Sequence, residues 1–477
     1  MSAESEGAGS TAGKLWDKGE RLDALIDRFT VADDYLLDSQ LAGADCVASM
    51  AHAEMLHRVG LLSARELADL RRALAQALAL AEAGQFPIKA ADEDVHTALE
   101  GFLSSATDAG AKIHTGRSRN DQVMAALRLV GREALLAVQT EALQLATALT
   151  SLATAYPDTP MAGRTHLQPA MPSSVALWAQ AFAEEVLDDL LLADTAFRLT
   201  NRSPLGSAAG YGVPLPLDRQ FVAQALGFDS VHHNVLAASN ARGKLEAITL
   251  EALEQLALTL SRLSQDLILF SLGEIGYFTL PKELCTGSSI MPQKRNPDAL
   301  ELVRAKTATL GGFAVAVKGI LRNLPSGYSR DLQETKRPYL SGLANAVLMA
   351  RVMGVTITRL QVNEPALRAS VSVRVLATDR AYQLVQAGTP FRDAYRQVAK
   401  ELERGQGPSV VAINAEVAST TRQSIGAAGN LALDDTIAMI AAEHTRLVGQ
   451  RGTIRRALEA LVGRPVSLYS ELGPASA

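Results

Sequence analysis

The sequence predicts an all-α protein built around a central bundle of very long helices. Three observations lead there: apolar residues recur at three- and four-residue spacings, long stretches run without proline, and no alternation of strands with helices is evident. In chain order, Arg132 to Tyr156 is the first long proline-free run. Ser173 to Thr200 is the second, with Pro172 ahead of it in what reads as a first-turn position. In the third, 244–272, Leu253, Leu256, Leu260, Leu263, Leu267 and Phe270 form the seam of one helix of roughly 25 to 30 residues, about 40 Å long. The fourth runs from Pro297 towards Leu321, with Gly311-Gly312 as its expected weak point or kink. The bundle thus spans 121–361, flanked by smaller helical regions at 14–120 and 362–477, and residues 1–13 read as a flexible tail. The wide apolar faces of 172–200 and 244–272 point to bundles from several chains associating, most simply as a symmetric homo-oligomer.

Composition narrows the functional classes. With 477 residues, 48% apolar and 20% charged, the chain has the make-up of a soluble globular protein. Its net charge of −5 and the absence of a Lys/Arg-rich run argue against nucleic acid as a partner and for a small molecule. Two cysteines, Cys46 and Cys285, lie far apart with no Cys-x-x-Cys pattern, which indicates neither a disulfide framework nor a structural zinc and fits a reducing cytoplasm. No signal-peptide pattern and no uninterrupted apolar stretch long enough to span a bilayer is read, so no membrane role is expected.

Chemistry concentrates in four segments between the helices. The most informative is Thr286 to Asp298, which carries Ser288, Lys294 and Asn296: a hydroxyl on a Gly-containing loop, a cation, and an amide at a helix start. Asn296-Pro297-Asp298 reads as a capped helix beginning, with Asn as the cap, Pro at the first position and Asp at the positive end of the dipole. A capped helix after a polar loop explains Asn296 and Pro297 but not their company with Ser288 and Lys294. Upstream, Ser118, Arg119 and Asn120 precede a long helix and offer hydrogen bonds and a guanidinium fork to a carboxylate. Alone, that run is as well read as a helix cap with solvated arginines. Gly163 to Pro169 is a polar turn ahead of another helix, bearing Thr165 and His166, a group that exchanges protons near neutrality. In Leu324 to Lys336, Tyr328 follows turn residues, and Gln333 and Lys336 share one face if a helix resumes near Asp331. Gly206 to Gly212 lacks dinucleotide and phosphate-loop spacing and reads as close backbone packing or a site wall; no histidine or cysteine spacing indicates a metal.

Jointly the four segments resemble the argininosuccinate lyases of the aspartase/fumarase superfamily. The Ser288 loop resembles the superfamily's shared loop, and 114–123 with 324–336 resemble the lyase itself. Lys14-Leu15-Trp16, Asp92 to Thr97, Ala377 to Asp379 and Gly388 to Arg392 extend the likeness from Lys14 to the 450s. The resemblance implies reversible elimination of argininosuccinate to arginine and fumarate, without metal or organic cofactor. It implies three helical domains, a homotetramer, and active sites each drawing segments from three chains. By residue, it implies Ser288 as the base and Lys294 and Asn296 as carboxylate ligands. Thr165 and His166 serve the other end of the elimination, with His166 as the acid itself or acting through Thr165 or a water. Ser118, Arg119, Asn120, Tyr328, Gln333 and Lys336 carry over as substrate-binding positions.

Two departures stand out. Phe29-Thr30-Val31-Ala32 lacks the serine that many family members have there, leaving that contact missing at Ala32 or replaced by Thr30; and 234–243 lacks the usual acidic residues although Arg242 fits. The alternatives are a sister lyase releasing fumarate from another N-substituted aspartate, and a non-catalytic crystallin-like protein on the same scaffold.

Overall fold

The computed structural model describes residues 23–404 and 421–469; the expected tail at 1–13 and the Lys14-Leu15-Trp16 resemblance lie outside them. In chain order the α-helices are α1 (Ala24–Val31), α2 (Asp34–Asp38), α3 (Ala42–Arg58), α4 (Ala64–Glu82), α5 (Val95–Ala106), α6 (Arg119–Ala155), α7 (Val175–Thr200), α8 (Arg219–Ala225), α9 (Val235–Asn240) and α10 (Lys244–Phe270). They continue with α11 (Asp298–Leu321), α12 (Lys336–Thr358), α13 (Glu364–Ser370), α14 (Ala377–Gln386), α15 (Phe391–Glu403) and α16 (Leu433–Val462). The fold is all-α. Strands among the described residues form three two-stranded pieces: antiparallel β1 (Pro160–Thr165) and β2 (Gln168–Ser174), parallel β3 (Arg202–Ser203) and β4 (Ser230–Val231), and antiparallel β5 (Phe278–Thr279) and β6 (Gln361–Val362).

Local chemistry explains where the long helices begin. α6 starts at Arg119 rather than Arg132 because Ser118 and Asp121 form a reciprocal capping box: Ser118 N–H donates to Asp121 Oδ1 at 2.9 Å, and Ser118 Oγ caps the first turn. Pro172 is not in a helix's first turn. It lies in β2, and Ser174 caps α7 by accepting from Leu177 N–H. Likewise Pro297, not Asn296, holds the N-cap position of α11, and no side chain caps that helix. The Gly311-Gly312 pair does not break α11. A Cβ on Gly311 would stand 2.5 Å from Glu254 Oε1, so the glycine permits close approach to α10.

The core runs lengthwise along α6, α7, α10, α11 and α12. All six seam residues of α10, Leu253 through Phe270, are buried, and α16 lies along α6 and α7. Helices α14 and α15 share a small apolar cluster of their own around Ala381, Ala394 and Val398. The stretch Arg330–Thr358 is apolar and long enough to cross a membrane by length and composition, but 56% of its most apolar window is buried and it supplies core residues such as Tyr339, Leu343 and Met353.

Close contact between helices depends on Gly342 in α12. A Cβ there would lie 2.3 Å from Leu250 of α10 and 3.1 Å from Leu310 of α11. Gly342→Ala should therefore overpack the junction and cost ~1–3 kcal/mol, read as a lower denaturant midpoint. An unchanged midpoint would mean that the junction has slack.

These helices fix two poles. α6 has 37 residues, about 55 Å, and carries the chain from Arg119 to the β1–β2 hairpin. α10 starts beside the beginning of α6, where Arg128 and Glu246 border one small cavity, and runs 27 residues to the segment preceding Ser288. α11 returns over 24 residues and delivers Tyr328 and Gln333 to the first pole, from which α12 leaves.

Candidate active site

At the first pole an open-mouthed pocket of about 200 Å³ is lined by residues from five separate segments. Of the positions singled out by sequence, Arg119, Asn120, Tyr328, Gln333 and Lys336 line it. Gln333 and Lys336 arrive as expected, because 330–335 is a 3-10 turn in which residues three apart eclipse, and α12 begins at Lys336. Ser118 does not line the pocket. Its hydroxyl caps α6 just behind Arg119 and Asn120.

Acidic residues form much of the wall: Asp34 and Asp38, which nothing in the sequence singles out, and Glu93 and Asp94 of the 92–97 run, which carried the resemblance but no site role. Buried Lys336 extends its Nζ to Asp34 Oδ2 at 2.5 Å and to Asp38 Oδ1 at 2.6 Å. Burial pushes the Asp34 carboxyl up to about 6, against the pull of Lys336, while Asp38 adds to the rise. Asp38 also accepts from Val95 N–H at 3.1 Å. Spaced four apart in sequence, Asp34 and Asp38 look like a solvated helix face; only the tertiary fold reveals that they are buried.

Glu93 accepts from Arg119 at 3.2 Å and from Arg330 at 2.8 Å. Arg119 also donates to Thr97 Oγ1 at 2.6 Å and lies 3.5 Å from Asp94. His96, on the pocket wall, faces Asp45 at 3.0 Å. Burial opposes the charge on His96, but the Asp45 carboxylate outweighs it and the imidazole's pKa is raised.

The departures noted in the sequence have local explanations. Thr30's hydroxyl donates back to Ile26 and Asp27 of its own helix, and its carbonyl accepts from Arg330 and Gln333, so its side chain does not stand in for the absent serine. Arg242 is buried, donates to Leu332 O at 3.1 Å and lies 3.4 Å from Glu246, which supplies the acidic partner that 234–243 lacks. Gly206 to Gly212 packs closely behind the pocket. Gly206 and Ala208 N–H groups donate to Asp121 Oδ2 at 3.0 and 2.9 Å, pinning the loop to the start of α6.

Thr165, His166, Ser288, Lys294 and Asn296 do not line this pocket. Thr165 pairs with Gln168 at the end of the β1–β2 hairpin, and His166 and Leu167 are its exposed two-residue tip. Both tip residues have left-handed backbone, φ 52° and 61°, a conformation ordinarily left to Gly or Asn. Arg164 steadies the tip, donating to Leu167 O at 2.8 Å and to Tyr277 Oη at 3.0 Å.

The Ser288 loop stands at the same pole as this hairpin. Its base is pinched by reciprocal backbone bonds between Thr286 and Asn296, 3.1 and 2.9 Å. Asn296 Nδ2 donates to Gly287 O at 3.3 Å, so the side chain expected to cap α11 is turned back onto its own loop. Thr286 Oγ1 donates to Asp298. Ser288 Oγ accepts from the N–H groups of Ile290 and Met291, at 3.4 and 3.2 Å. Two amides aimed at one hydroxyl oxygen favour negative charge on it. Lys294 is exposed nearby on the same loop.

A family model described as lyase matches residues 18–312. An argininosuccinate lyase of Thermotoga neapolitana is 44% identical over 392 residues, covering 82% of this chain and 98% of that one. Another, of Sorangium cellulosum, is 44% identical over 423 residues, covering 88% and 97%. Among solved structures, an EDDS lyase variant with bound fumarate matches with a TM-score of 0.79 at 22% identity, covering 94% of this chain and 95% of that one. A class II fumarase of Schistosoma mansoni matches with a TM-score of 0.67 at 19% identity, covering 80% and 90%. At such identities the two structures speak for the fold alone.

Proposed function

The chain belongs to the argininosuccinate lyase family, and we propose that it carries out reversible elimination of argininosuccinate to arginine and fumarate in sites completed by several copies of the chain. It is a carbon–nitrogen lyase. One observation carries the shared-site reading: the pocket and the two loops bearing Ser288 and His166 stand at opposite poles of stiff helices. A second copy lying antiparallel would bring one molecule's pocket to another's loops. Exposed Leu191 and Leu192 on α7, Leu258 on α10, Leu302 and Val315 on α11 and Leu348 on α12 supply apolar faces for such packing. A homotetramer with each site drawn from three chains is the assembly proposed, in the cytoplasm, where the free Cys46 and Cys285 would stay reduced.

In the proposed mechanism Ser288 Oγ removes the proton from the carbon next to a succinyl carboxylate. The electron pair left behind forms the carbon–carbon double bond of fumarate as the carbon–nitrogen bond breaks. Lys294 and Asn296 steady the charge that builds on the carboxylate, and His166, directly or through Thr165 or a water, supplies the proton to the leaving guanidine nitrogen. The paired N–H groups on Ser288 Oγ lower the cost of its deprotonated form, as Lys294 does when the loop closes. The pocket's mixed charge suits the arginine portion. Asp34 can face its cationic groups, with Asp38 fully buried behind it holding Lys336, while Arg119, Asn120, Tyr328, Gln333 and Lys336 address its carboxylate and orient it.

Complementation tests this reading. Ser288→Ala and Asn120→Ala are each expected to be poorly active, yet mixed subunits should recover about a quarter of wild-type fumarate release, the fraction of randomly assembled sites that take an intact Ser288 from one chain and an intact Asn120 from another. No recovery after demonstrated subunit exchange would place both groups in one chain's site. Fumarate from a different succinyl-amine, with none from argininosuccinate, would overturn the substrate.

A further inference from the structure

Glu93 combines three properties that rarely meet in one side chain. Its backbone stands at φ 71°, ψ −45°, near a rare and strained γ-turn geometry. It is 6% exposed. Its two carboxylate oxygens reach different guanidinium groups, Oε2 to Arg119 at the start of α6 and Oε1 to Arg330 in the 330–335 turn. Arg330 in turn donates to Thr30 O at 2.8 Å, and Gln333 to the same oxygen at 3.2 Å.

A strained, acidic, buried residue is costly three times over, by about 1–3 kcal/mol for the backbone alone. A cap needs none of it: the following helix α5 is capped by Asp94, which accepts from Thr97 N–H at 2.8 Å. What the conformation achieves is reach. It turns the Glu93 side chain into the pocket, where it ties together the end of α1, the start of α6 and the turn ahead of α12. Those three segments are far apart in sequence; the start of α6 and the turn ahead of α12 line the pocket, and the end of α1 backs that turn through Thr30 O.

We propose that Glu93 is a positioning residue for substrate binding, holding Arg119 and the 330–335 turn in the register that receives the arginine portion of the substrate. The inference rests on the lyase reading above. Glu93 acts through its arginines, and the bond-breaking groups on the Ser288 loop belong to the other pole.

Steady-state kinetics with argininosuccinate test it. Glu93→Gln keeps the shape but turns an amide on one guanidinium, so KM should rise about tenfold or more while kcat stays within about threefold. Glu93→Gly relieves the backbone and removes the bridge, and should show the same rise in KM. In the Glu93→Gln/Arg330→Gln double variant the two effects should not multiply, because both break one link. A purely structural role predicts another pattern: loss of active protein, seen as lower apparent kcat at unchanged KM. That pattern, wild-type KM in Glu93→Gly, or fully multiplicative effects would each overturn the proposal. Wild-type protein that releases no fumarate from argininosuccinate would instead remove the lyase reading, and this inference with it.

Discussion

Ser288→Ala is expected to lower kcat about a thousandfold while leaving argininosuccinate affinity close to that of the wild type. The magnitude is that of removing a positioned general base. Affinity should survive because the hydroxyl's own bonds, from Ile290 and Met291 N–H, are local to the loop and do not close it. Its base is closed by the Thr286 and Asn296 backbone bonds and by Asn296 Nδ2 on Gly287 O, and the pocket at the other pole is untouched. Turnover by fumarate absorbance and binding by calorimetry separate the two effects. Turnover like that of the wild type would remove Ser288 from the base role, and a parallel collapse of affinity would recast it as a ligand.

Lys336→Met should be the most damaging substitution for stability, by ~3–5 kcal/mol, because it leaves two carboxylates without their shared cation. The loss should depend on pH. Asp34 titrates at about 6 in the folded protein, chiefly because it is buried, against 3.8 ordinarily. Between those values the folded chain holds a proton that the unfolded chain has released. The stability from this group is therefore complete below 3.8, falls as pH rises towards 6, and is flat above. Removing Lys336 takes away the main influence holding that pKa down. The deficit relative to wild type should be largest above pH 6 and shrink towards pH 5 as Asp34 protonates, a comparison for denaturant unfolding at pH 5 and 8. Equal deficits at both would mean that Asp34 does not carry the effect.

Helix patterning made the scaffold legible, since the seam of α10 is periodic over its whole length and every seam residue is buried. Boundaries were less legible where two local signals compete. Pro172 suits a helix start in sequence, but the hairpin claims it; Asn296 suits a cap, but its backbone is pinched to Thr286 and Pro297 takes the cap position. At the site, the polar runs between helices were readable only jointly, since each alone is as well explained by a helix cap or a solvated turn. Asp34 and Asp38 were not, because an acidic residue in a sequence looks solvated until the fold buries it, and Glu93 stood out only as a member of the 92–97 run, with no role attached. The meeting of α2, α6 and the start of α12 at the pocket is tertiary, and local pattern does not encode it.

The hairpin tip bears on how this protein could be improved without being ruined. Two consecutive left-handed residues, His166 and Leu167, are what a stability engineer would replace first, with Asn-Gly, and the fold would gain from it. The same exchange would delete the imidazole that the tip holds out. On the proposed mechanism, in which His166 supplies a proton, heat tolerance sought at that turn runs against catalysis and is better sought at sites remote from both poles.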